Sequence, residues 1–196
     1  MLILCLVLRL CGGAYPPYIL DSANELNDDN ETVETVFYPL YFSILSYWFP
    51  PDEGYNVCPR WTIPNYSEIE DPTITFVIQR HRQQPLLLIE IKPPSDFQLD
   101  SGRGSAIAQV IVRLDDLGPT NQHAPRLYAI SAIGKRWRAC YTLQGRVSRG
   151  GQVVMGVAAT DSLRSAGQEC WNPDITSDAS YAAFQGIVET IKGYVA

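Results

Sequence analysis

The sequence predicts one α/β domain with a central mixed sheet flanked by helices, and three observations carry that prediction. Two β-rich runs, Thr73–Gln79 and Leu86–Ile91, flank a polar break at Arg80–Gln84, the pattern of an antiparallel hairpin. In the second run Leu86, Leu87, Leu88, Ile89 and Ile91 are apolar on both faces, as in a strand buried in the middle of a sheet. Amphipathic helical stretches lie on both sides of these runs in the chain and alternate with further strands.

In chain order, residues 1–29 read as an N-terminal extension and residues 30–196 as the domain. The apolar run at residues 1–10 is about half the ~20 residues a transmembrane helix requires. Its one basic residue, Arg9, follows the apolar run instead of preceding it, unlike a secretory signal. A buried strand, a short helix or a truncated start accounts for it, with Gly12-Gly13-Ala14 leaving secretion as the alternative. Tyr15-Pro16-Pro17-Tyr18 is expected to break regular structure. From Glu31 to Phe49 the pattern is helical, with Val33, Val36, Phe37, Leu40, Ile44 and Leu45 near one stripe. Pro39 must kink this helix or begin a second one. Trp48 to Glu70 reads as a long connection with a short strand at Asn56–Trp61.

Beyond the hairpin, Pro93-Pro94 ends the strand and Ser95–Gly104 reads as a polar loop, in which Arg103 is a candidate phosphate contact. Ser105 is the expected cap of a helix whose core stripe is Ile107, Val110, Ile111, Leu114 and Leu117. Gly118-Pro119 stops it. Strands follow at Leu127–Ile133 and Trp137–Leu143, joined tightly at Gly134-Lys135, with Arg136, Arg138 and Cys140 forming a polar face. A further strand, Gln152–Ala158, follows Gly150-Gly151. Ser177 or Asp178 caps a closing helix with the stripe Tyr181, Phe184, Val188, Ile191 and Val195.

Chemistry concentrates at one end of the hairpin. Folding at the polar break is expected to return Asp71 to within a residue or two of Glu90. Glu90 and Lys92 are two apart on one strand and share a face. Glu and Lys are almost never fully buried unless paired, so a central strand ending Glu-Ile-Lys needs a reason. A divalent cation such as Mg²⁺ or Mn²⁺ supplies one, held by Asp71 and Glu90, with Lys92 activating water or offsetting phosphate charge. A solvated strand end is the alternative.

Asp71, a hairpin, then Glu90-Ile91-Lys92 resembles the PD-(D/E)xK nuclease superfamily. The wider phrase PLLLIEIKPPSDF, the helix carrying Gln109 and the strand RLYAISAIGKRW are similar to nuclease-like domains from fungi. The likeness runs from about residue 30 to the C-terminus. It implies a restriction-endonuclease-like domain that hydrolyses phosphodiesters of DNA or RNA with a bound metal. It also implies supporting roles for Gln109 and for a glutamate on the first helix, Glu34 before Glu31. Proline follows Asp71 instead of preceding it, which makes Glu70 a substitute ligand.

Composition sets the outer limits. A formal charge of −6 over 196 residues argues against broad nonspecific nucleic-acid binding but leaves room for a local basic groove. Two clusters qualify: Arg80, His81 and Arg82 at the hairpin tip, and Lys135, Arg136 and Arg138 with Arg146 and Arg149. His81 and His123 read as surface residues. The five cysteines form no Cys-x-x-Cys, so zinc is not expected; free thiols and an intracellular location, cytoplasm or nucleus, are.

Overall fold

The computed structural model describes residues 14–27, 31–62, 73–80, 84–117, 126–143, 153–155 and 167–194. These form a mixed six-stranded sheet in sequence order, β1 (Tyr55–Thr62), β2 (Thr73–Arg80), β3 (Gln84–Lys92), β4 (Arg126–Ile133), β5 (Arg136–Leu143) and β6 (Val153–Met155). All neighbouring pairs are antiparallel except β3 and β4. That parallel pair requires a crossover, and α3 (Asp100–Leu117) provides it. Helices α1 (Pro17–Asn24), α2 (Tyr38–Trp48) and α4 (Asp178–Tyr194) share a core against the opposite face.

The sheet therefore separates two cores. Leu87, Ile89 and Ile91 of β3 face the larger one, with Ile19, Leu40, Ile44, Phe184 and Ile191. Leu88 faces the smaller one, with Val110, Leu114 and Leu117 of α3. Burial on both faces explains the uninterrupted apolar run in β3.

Several elements differ from expectation in instructive ways. Pro17 does not break the chain; it stands at the start of α1, where its missing N–H costs no hydrogen bond. Pro39 is the second residue of α2, after a 3₁₀ turn at Glu34–Phe37, where its missing N–H again costs no helix bond, so it kinks none. Helix α3 starts at Asp100, and Ser105 lies inside it instead of capping it. Residues Pro94–Phe97, expected in a loop, form a 3₁₀ turn against which the first turn of α3 packs. A Cβ on Gly102 would collide with the carbonyl of Asp96, so close approach sets the helix start despite glycine's poor propensity. At the other end of the chain, Ser177 does act as the cap of α4, its Oγ accepting from the Ser180 N–H at 3.2 Å.

The β4–β5 turn is anchored from two sides. Gly134 has φ 60°, a left-handed conformation that suits glycine. Its N–H donates to the Lys92 carbonyl at 3.0 Å, and its own carbonyl accepts the Tyr41 hydroxyl at 3.0 Å.

Two substitutions test this packing. Ile89→Ala, at a fully buried β3 position, is expected to cost about 2–5 kcal/mol in urea unfolding. Gly102→Ala should cost about 1–3 kcal/mol despite alanine's better helix propensity, because backbone stands in the way.

Candidate functional site

The α3-facing side of the sheet carries a polar row through an apolar surface. The strand register pairs Phe76 with Ile89, Glu90 with Ser131, and Ser131 with Arg138. One step beyond the first pair, Thr75 stands across from Glu90, and its hydroxyl donates to Glu90 Oε2 at 3.2 Å. Thr75, Glu90, Ser131 and Arg138 thus line up across four adjacent strands, all buried. Cross-strand neighbours in register share a face. The position opposite Glu90 therefore belongs to Thr75, four residues after Asp71 in the chain; the irregularity at Ile78/Gln79 shifts the hairpin register by one residue. Asp71 and its substitute Glu70 lie outside the described residues, as do His81, Arg82, His123, Arg146 and Arg149.

Glu90 is 4% exposed. Helix α3 reaches down to it with Arg113, whose Nε lies 3.3 Å from Glu90 Oε1. Burial pushes the Glu90 carboxyl pKa up, against the opposing pull of the Arg113 charge, the Thr75 and Arg113 hydrogen bonds, and Lys92. Lys92, on the same face, is half-buried at the strand end. The Thr75 hydroxyl also accepts the Ile91 N–H at 3.4 Å.

A second carboxylate lies near this centre. The Tyr38 hydroxyl donates to Glu34 Oε1 at 2.9 Å. Its pKa is pushed up to about 12, by burial first and then by the Glu34 carboxylate, with Thr75 pulling the other way. Glu34 and Tyr38, in the 3₁₀ turn and at the start of α2, thus stand near the bonded group of Thr75, Glu90 and Arg113 on β2, β3 and α3. Gln109 lies one turn before Arg113 on the same helical side and is half-buried. Glu31 is half-buried, before the 3₁₀ turn.

Thr75, Tyr38, Arg113 and Ser131 escaped the sequence reading, and Arg138 entered it only as part of a polar face and of a basic cluster. The one available signal was Arg113, a charged residue at the i+3 spacing from Val110 in the core stripe of α3.

Other candidates serve the fold. Arg103 is buried, bonded to the Phe97 carbonyl and to Asp100, with its guanidinium 5.5 Å from the Phe97 ring centroid. It points at the protein, not at a phosphate, because the helix starts earlier than its glycines suggest. Lys135 binds the Ala23 and Leu26 carbonyls at the end of α1, and Arg136 lies over the Phe97 ring at 4.5 Å. The expected polar face of β5 turns to the smaller core, so Arg138 and Cys140 are buried. Cys58, Cys140 and Cys170 are free thiols. Among the described residues no group of three or more His, Cys, Asp or Glu gathers to hold a metal, and no helix is long and apolar enough to cross a membrane.

Compared with family models, curated proteins and solved structures, the chain gives no match.

The buried pair makes a prediction in pH. A carboxyl with a raised folded-state pKa contributes stability that is complete below its unfolded value and is lost as pH rises through the folded one. Removing the guanidinium in Arg113→Leu should cost about 3–5 kcal/mol at neutral pH. It should also extend the loss to higher pH, so urea unfolding between pH 4.5 and 8 falls more steeply than in the parent protein. Equal pH slopes in the two proteins would show that Arg113 does not face an ionised Glu90.

Proposed function

We propose that the protein is a divalent-metal-dependent phosphodiesterase of the PD-(D/E)xK nuclease superfamily, with a restriction-endonuclease-like domain, acting on DNA or RNA. The observation that supports this reading best is the buried carboxylate centre. Glu90 and Lys92 share a face at the end of the central strand, and Glu34, bonded to Tyr38, stands near Thr75, which bonds Glu90. The order helix, strands, helix, parallel strand is the order on which the resemblance rests.

The donor set fits Mg²⁺ or Mn²⁺. Each Glu90 oxygen accepts one protein donor and keeps a second lone pair, and hard oxygen ligands from one or two carboxylates with several waters suit these ions. Asp71, two residues before β2, is the second proposed ligand. The metal, when bound, would polarise the phosphoryl oxygen and lower the pKa of its water. Lys92 would hold the attacking water or offset the phosphate charge, Thr75 and Arg113 orient the Glu90 carboxylate, and Gln109 and Glu34 support the site. The three described free thiols fit an intracellular location.

One observation favours a second reading, a nuclease fold that binds a partner without catalysis. The guanidinium on Glu90 partly neutralises the charge a metal would need. Titration calorimetry with Mn²⁺ separates the two. Under the nuclease reading the intact protein binds the ion, and Glu90→Ala binds it at least about tenfold more weakly. Lys92→Ala should keep the metal and lose cleavage of single- or double-stranded DNA or RNA by about 100-fold or more. Full cleavage by either variant would sink the nuclease, and absence of Mn²⁺ binding by the intact protein would favour the silent fold.

A further inference from the structure

On the other side of the sheet from Glu90, α4 stands off β4 and β5 and leaves a cavity of about 400 Å³. That lies within the roughly 300–1,000 Å³ of small-molecule sites. Its floor is aromatic: the Tyr128 and Tyr141 ring centroids lie 5.3 Å apart, with planes inclined at 48°. Its helix wall is built from Ala182, Ala183 and Gly186, small enough to leave the space open. A Cβ on Gly186 would meet nothing within 4 Å.

One charge lines this space. The Arg126 guanidinium lies 4.6 Å from the Tyr141 ring centroid and donates to the Tyr128 hydroxyl at 3.4 Å. Among the described residues it has no carboxylate partner. A guanidinium has five N–H donors, so most of the fork is available to a ligand. The Thr190 hydroxyl is already donated to the Gly186 carbonyl at 2.7 Å, so an occupant would meet the Arg126 charge and the phenol hydroxyls.

A cavity with phenol rings on the sheet side, mostly small side chains on the helix side and one fork-shaped cation in its lining selects for shape and charge together. Aromatic surfaces favour a stacked or edge-on ring. Guanidinium favours a planar carboxylate or phosphate approached bidentately. We propose that this cavity binds a planar aromatic ring carrying a carboxylate or phosphate group. The site is independent of the nuclease reading, since it uses the opposite face of the sheet and none of the same residues.

Titration calorimetry on the full chain with sodium benzoate and with 5′-AMP tests it, with acetate and benzyl alcohol as probes that lack the ring or the charge. At least one of benzoate and 5′-AMP should bind more tightly than about 1 mM, and acetate and benzyl alcohol about tenfold more weakly or less. Tighter binding of 5′-AMP supports the proposal with a nucleotide as the source of the ligand. Tighter binding of benzoate supports it with a free aryl acid. Gly186→Phe fills the space from the helix side, and Arg126→Gln removes the charge; each should weaken binding about tenfold or more with an unchanged melting temperature. If Gly186→Phe does not fold, Gly186→Leu replaces it. The proposal is overturned if neither benzoate nor 5′-AMP binds, if binding survives both variants, or if benzyl alcohol binds as well as benzoate.

Discussion

Glu90 sits in the middle of a sheet that is covered on both faces, and a carboxyl buried there has to find its partners within the fold. Arg113 meets it from α3 and Thr75 from β2. Leaving a carboxylate buried without such partners costs several kcal/mol, whereas a well-made pair roughly offsets its own desolvation. The pair therefore does less to raise stability than to demand one arrangement. Helix α3 must lie over β3 with Arg113 at the right height, and β2 must pair with β3 in the register that puts Thr75 opposite. A slip of one residue in that register would turn Glu90 into the larger, apolar core.

The position of α3 is in turn set at its other end. Gly102 lets the helix backbone approach the Asp96 carbonyl, and Arg103 ties the first turn to Phe97 and Asp100. The same Phe97 ring lies beneath Arg136 of β5, so the helix start, the 3₁₀ turn and the fifth strand are braced together. At the strand end, the Gly134 N–H fixes the Lys92 carbonyl, and Tyr41 of α2 fixes Gly134. The Glu90–Lys92 segment is thus restrained by α3, by the β4–β5 turn and, through that turn, by α2. Rigid support of this kind is what the proposed site would need to hold productive geometry.

Much of the fold was legible because burial leaves periodic traces. The hairpin, the both-sided β3, the β4–β5 pair and the stripes of α3 and α4 were all readable from the order of apolar residues. Arg103, Arg136 and Arg138 were not, since a charged residue in a sequence carries no mark of whether its partner is water, a ring or a carbonyl. Likewise Gly102 looked like loop because glycine's intrinsic preference is weak evidence against a helix that packs closely. In the candidate site the pair Glu90 and Lys92 was readable at spacing two, whereas Glu34 came only from the resemblance. Tyr38, which bonds Glu34, and Thr75, which bonds Glu90, are ordinary residues in sequence and become informative only by contact.

By itself, then, the sequence determined which segments become strand and helix, and that an acid and an amine share one face of a buried strand. Those are local properties, written in a period of two or about three and a half residues. Only the tertiary structure decided which groups meet Glu90, which arginines are buried, and that a cavity lined by Arg126 opens beneath α4. Those depend on register and on helix placement, which bring together residues far apart in the chain and so leave no local pattern to read.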